Sequence, residues 1–122
     1  AIRARRVLIA DDNRDGAQTL AMLLELSGHE VHLAHSGTDA LAMAQARQPD
    51  VVLLDIGMPE MNGYEVARRI RANGWGSLTR LIAMTGWGRD ADKDVARQAG
   101  FDHHLTKPVD LQHLEQLIGG AE

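Results

Sequence analysis

The sequence has no cysteine, which removes disulfides and thiolate chemistry and suits a reducing cytoplasm. It has no apolar run near the ~18–20 residues of a membrane span, and no signal peptide opens it. We therefore expect a cytoplasmic domain that makes no membrane contact of its own. An excess of positive charge is also missing: the formal net charge is -4, and the one basic cluster, Arg3, Arg5 and Arg6, is short. A broad nucleic-acid-binding surface is excluded on that ground. No linker, internal repeat or low-complexity tract interrupts the chain. Its 122 residues, 44% of them hydrophobic and 25% charged, predict one globular domain over 1–122 with a proper core.

What is present is a regular alternation. VLIA (7–10), EVHLA (30–34), VVLL (51–54), RLIAM (80–84) and DHHL (102–105) read as strands, and their continuous apolar runs mark strands covered on both faces. Helical spacing fills the intervals: Leu20, Leu23 and Leu24; Ala40, Leu41 and Ala44; Val66, Ala67 and Ile70; Val95, Ala96 and Ala99; Leu111, Leu114, Leu117 and Ile118. Met22 and Leu26 read as mostly core beside the first of these groups. Gly28, Gly74 and Gly100 stand where a left-handed closing residue is wanted. Pro49 is expected to end the second helix and Pro108 to open the fifth. The fold class is α/β: a doubly wound parallel sheet with helices on both faces.

In such sheets chemistry gathers at the carboxyl ends of the strands. Asp11 and Asp12 follow the first strand, Asp55 the third, Thr85 and Gly86 the fourth, and Lys107 with Pro108 comes shortly after the fifth. Clustered carboxylates raise one another's pKa unless a hard cation takes up the charge. Mg2+ prefers oxygen ligands and needs only one or two direct carboxylates. With the cation present, one carboxylate can act as a nucleophile and form an acyl phosphate, and a hydroxyl and an ammonium can then bind the phosphoryl oxygens. Each residue also has a plainer reading. Asp11 and Asp12 could cap a helix, Asp55 and Thr85 could be turn residues, and Lys107 could be a solvated charge. The coincidence of four at four strand ends favours the chemistry.

VLIADDN, PDVVLLDIGMPEMNGYEVARRIR, LIAMTGWG and AGFDHHLTKPVD together resemble the receiver domain of bacterial two-component response regulators, across essentially the whole chain. The resemblance implies a flavodoxin-like (βα)5 sheet in order 2-1-3-4-5. It also implies a function in signal transduction: Mg-dependent transfer of a phosphoryl group from a kinase phosphohistidine to Asp55. Asp12 and Asp55 would ligate Mg2+ (or Mn2+), Asp11 acting mainly through water and Gly57 offering its backbone carbonyl. Thr85 and Lys107 would bind the phosphoryl group, helped by amides near Ile56 and Gly86, and Pro108 would follow a cis bond. The implied partners are a sensor histidine kinase, in cis or in trans, and a histidine phosphotransfer protein. The kinase would meet the first half of the first helix, around Gly16 and Thr19. The domain by itself would be a phosphoacceptor rather than an enzyme. The wording is similar to C-terminal receivers of hybrid sensor histidine kinases, and an opening Ala in place of Met fits an excised piece. A stand-alone regulator is the other reading.

Three positions depart from the commonest pattern. His104 stands where the family often has the Tyr or Phe that turns inward when Thr85 engages phosphate. An imidazole there would make output depend on pH between roughly 6 and 7; an exposed histidine in a loose switch is the alternative. Gly57 and Trp87 occupy the two places that influence how water reaches the acyl phosphate. Gly86 and Gly88, flanking Trp87, suggest a mobile loop. His103 and His104 are adjacent on a strand and point to opposite faces, so they do not chelate one ion.

Other classes fit less well. A dehalogenase-type phosphatase would show D-x-D after its first strand, where this chain has Asp11-Asp12. A nucleotide- or flavin-binding domain would carry a phosphate-cradling glycine loop there, which is lacking. A degenerate receiver acting as a plain protein-binding module is the remaining alternative, and the intact set Asp11, Asp12, Asp55, Thr85 and Lys107 argues against it.

Overall fold

Val7–Ala10 and Val51–Leu54 have no polar side to turn toward water, so their strands need cover on both faces. The computed structural model, which describes residues 5–86 and 90–120, provides it. Strands β1 (Arg6–Ala10), β2 (Glu30–Ala34), β3 (Val51–Asp55), β4 (Arg80–Thr85) and β5 (His103–Thr106) alternate with helices α1 (Arg14–Leu26), α2 (Gly37–Arg47), α3 (Gly63–Ala72), α4 (Asp90–Ala99) and α5 (Leu111–Glu115). A wider π-turn over Gln116–Gly120 continues α5. All strand pairings are parallel, in the order β2-β1-β3-β4-β5. The flavodoxin-like order expected above is the observed one.

Strand alternation divides the core in two. Leu8, Ala10, Val52, Leu54, Leu81 and Ala83 pack with residues of α2, α3 and α4. Their neighbours Val7, Ile9, Val51, Leu53, Ile82 and Met84 pack with α1 and α5. Successive side chains thus feed opposite layers, which is why neither face of these strands shows a polar stripe.

Several local expectations are corrected. Met22 and Leu26 are not core: they are 65% and 85% exposed, and Leu23 is 39% exposed. The buried stripe of α1 is Ala17, Ala21 and Leu24, and positions 22 and 26 fall on the opposite side of a 3.6-residue helix. Asp11 and Asp12 do not cap α1. That place belongs to Asn13, whose side chain accepts from the Gly16 N–H. Gly28 and Gly100 have the expected positive φ. Gly74 does not; it opens a 3-10 turn (Gly74–Gly76) after α3 closes at Asn73. Gln48, with φ 46 and ψ 63, closes α2 ahead of Pro49. Pro108 does not open α5. Its bond to Lys107 is cis, and Asp110 caps the helix by accepting from Gln112 N–H and His113 N–H. Among the described residues, no helix is long and apolar enough to cross a membrane.

Candidate functional site

The strand order brings the ends of β1, β3, β4 and β5 to one edge of the sheet, and the acidic residues of the first two meet there. One carboxylate oxygen from each of Asp11, Asp12 and Asp55 lies within 4.8 Å of the others. Asp11 and Asp55 are buried and Asp12 is exposed. The cluster is held by named contacts. Asp11 Oδ1 accepts from Asn13 N–H at 2.9 Å, and Asp11 Oδ2 accepts from Lys107 Nζ at 2.9 Å. Asp55 Oδ1 accepts from Gly57 N–H at 3.0 Å, while Asp55 Oδ2 lies 3.5 Å from Lys107 Nζ.

Lys107 reaches this position because its own N–H donates to Thr85 O at 2.7 Å, tying the loop after β5 to the end of β4. Thr85 is buried at that end, and its Oγ1 lies 3.4 Å from His104 Nε2. The structure therefore brings together Asp11, Asp12, Asp55 and Lys107 directly. Thr85 and His104 join through the β4–β5 ladder, in which Ala83 pairs with His104 and Thr85 with Thr106. Gly57 is a neighbour through its amide. A Cβ added at Gly57 would stand 3.7 Å from Asp55 Oδ1, so residue 57 borders the carboxylate without crowding it. Trp87 and Gly88, and with them the proposed mobile loop, lie outside the described residues, as does Arg3.

Electrostatics are those of a site with more negative charge than one ammonium neutralises. Burial, opposed by the Gly57 hydrogen bond and assisted by Asp11, pushes the Asp55 carboxyl up to about 6. Burial works against the charge of Lys107, but Asp11 and Asp55 outweigh it and raise its pKa above the ordinary lysine value. Carboxylate oxygens this close, one of them driven toward protonation, fit a hard divalent cation such as Mg2+.

One feature escaped sequence reasoning. His35, just past β2, places its Nδ1 3.0 Å from Asp11 O. No motif announces it; only the adjacency of parallel β2 and β1 puts residue 35 beside the acidic pair. The first half of α1, singled out in the sequence around Gly16 and Thr19, borders a cleft of about 480 Å3 next to Lys107, lined also by Leu20, Leu23, Pro108 and Val109.

Residues 7–119 match the response regulator receiver domain family. The chain is 37% identical to protein PilH of Pseudomonas aeruginosa, over 95% of this chain and 96% of that protein. It is 35% identical to the response regulator MprA of Mycobacterium tuberculosis, over 89% of this chain but 46% of the longer relative. Among solved structures, the chemotaxis response regulator CheY4 of Vibrio cholerae matches with a TM-score of 0.88 and 28% identity, covering 94% of this chain and 99% of that one. The receiver domain of the sensor histidine kinase PA1611 of P. aeruginosa, solved with a magnesium ion in its active site cleft, matches with a TM-score of 0.85. Its identity is 28%, over 98% of this chain and 100% of that one.

Proposed function

The chain belongs to the receiver domains of two-component response regulators, and from that premise we propose that Asp55 is its phosphoacceptor. The observation that carries this reading is the position of Lys107 Nζ between the buried carboxylates of Asp11 and Asp55. An ammonium so placed can follow negative charge from the free carboxylate to a phosphoryl group built on it. An oxygen of ionised Asp55 attacks phosphorus as the N–P bond of a kinase phosphohistidine breaks. The imidazole leaves with that electron pair and takes up a proton. Lys107 stays beside the growing charge, and the Thr85 hydroxyl donates to a phosphoryl oxygen.

Asp12 and Asp55, with the Gly57 carbonyl and with Asp11 through water, would hold Mg2+, and the ion would supply charge neutralisation for the incoming phosphoryl oxygens. To reach the phosphoryl group, the Thr85 hydroxyl gives up its contact with His104, so the imidazole is the group that reads the change. The domain then acts as a switch rather than as an enzyme with turnover. The cleft beside Lys107, lined in part by Leu20 and the exposed Leu23 of α1, suits the apolar face of a kinase or phosphotransfer helical bundle. A cytoplasmic kinase, in cis within a hybrid chain or in trans, is the corresponding donor.

Intact-mass spectrometry after acetyl phosphate treatment tests the assignment. We expect a Mg2+-dependent gain of one phosphoryl group that is lost in Asp55→Asn. If the wild-type domain neither gains an adduct nor binds beryllofluoride, a protein-binding module without phosphorylation becomes the better reading.

A further inference from the structure

Asp11 is held more completely than its neighbours, and part of the hold comes from outside the residues already assigned. Its N–H donates to Ala34 O at 3.0 Å. Its carbonyl oxygen lies 3.0 Å from His35 Nδ1. A carbonyl can only accept, so Nδ1 carries the proton and donates. Ala34, the last residue of β2, and His35, the next one, thus grip the amide and the carbonyl of Asp11 just past β1.

The carbonyl of Asp11 belongs to the planar peptide that also contains the nitrogen of Asp12. Fixing that carbonyl fixes the plane and with it the direction in which the Asp12 chain leaves. Asp11 has two further anchors, Asn13 N–H and Lys107 Nζ, on its carboxylate. Asp12 is exposed, yet its carboxylate has to meet those of Asp11 and Asp55 within 4.8 Å. The Asp11–Asp12 peptide is the lever on that meeting, and the half-buried His35 is the side chain that holds it.

We infer that His35 is a positioning residue for the acidic cation site, acting through the Asp11–Asp12 peptide and touching neither cation nor phosphoryl group. The inference rests on the cation reading proposed above and deepens it. Groups that orient metal ligands in this way commonly change metal affinity by an order of magnitude or more when removed. Asn is the conservative replacement, because its Nδ2–H2 can donate from nearly the place of the imidazole Nδ1–H.

Calorimetric titration of Mg2+ into wild type, His35→Ala and His35→Asn, with thermal unfolding of each in EDTA, tests it. The expected result is affinity weakened about tenfold in His35→Ala and largely restored in His35→Asn, with similar unfolding temperatures in EDTA. Equal Mg2+ affinity of His35→Ala and wild type would overturn the inference and leave the cation site standing. So would a loss that Asn does not restore, or one matched by a drop in EDTA unfolding temperature, since His35 would then be structural only. Absence of Mg2+ binding by the wild type would overturn the cation reading and this inference with it.

Discussion

Lys107 Nζ stands 2.9 Å from Asp11 Oδ2 and 3.5 Å from Asp55 Oδ2, so one ammonium serves two carboxylates that arrive on different strands. Replacing it with Met leaves both acids buried without that cation. We expect Lys107→Met to lower metal-free stability near neutral pH by about 2 kcal/mol, less than for a fully buried pair because Lys107 is partly exposed. Phosphoryl uptake from acetyl phosphate should fall as well. Denaturant unfolding in EDTA and intact mass are the two measurements; unchanged values in both would remove Lys107 from the site.

Asp55 gives a pH dependence of definite sign. Its folded pKa of about 6 lies above the 3.8 of an ordinary aspartate, so between these values the native state binds more protons than the unfolded one. The metal-free protein therefore loses stability as pH rises through that window. Asp55→Asn removes the charge and should be more stable than wild type at pH 7 in EDTA, by about 2 kcal/mol. The gap should close near pH 4. A gap that is the same at both pH values would contradict this origin.

Gly63, the first residue of α3, is set by close approach. A Cβ there would lie 2.8 Å from Asp55 O and 3.0 Å from Ile56 Cα, both backbone atoms that cannot swing aside. Gly63→Ala should move the turn after β3, costing about 1–3 kcal/mol and slowing phosphorylation at saturating acetyl phosphate. Wild-type stability together with a wild-type rate would show that the turn yields freely.

At the opposite end of the sheet, His29 Nδ1 accepts from Arg5 N–H at 3.0 Å, and Nε2 lies 2.7 Å from Glu115 Oε1. With Nδ1 an acceptor, Nε2 carries the proton and donates to the carboxylate. Glu115→Gln keeps an acceptor oxygen and should be mild. Glu115→Ala leaves a buried N–H without it and should cost about 1–3 kcal/mol. Both variants should take up phosphate as wild type does, because the pair is remote from Asp55; impaired uptake by the folded Gln variant would contradict that separation.

Periodicity and strand-end residues carried much of this protein's reading. The runs VLIA and VVLL demanded cover on both faces, and that demand is physical and local. The parallel sheet, and the gathering of Asp11, Asp12, Asp55, Thr85 and Lys107 at one edge, follow from it once the strands are ordered. What sequence could not supply is whatever depends on contacts between residues far apart in the chain. Met22 and Leu26 look like core by composition, yet the rotation of α1 that buries Ala17, Ala21 and Leu24 leaves them in water.

Arg71 makes the same point from the polar side. No sequence motif marks it, but in the fold it donates to Gly100 O, Gly76 O and Thr79 O and pairs with Asp102. His35 belongs with it. The sequence by itself determined which residues could do the chemistry, because residue type and strand-end position are local properties. Only the tertiary structure decided which side chains hold those residues in place, because a hydrogen bond across neighbouring strands depends on register and strand order, which a local pattern does not contain.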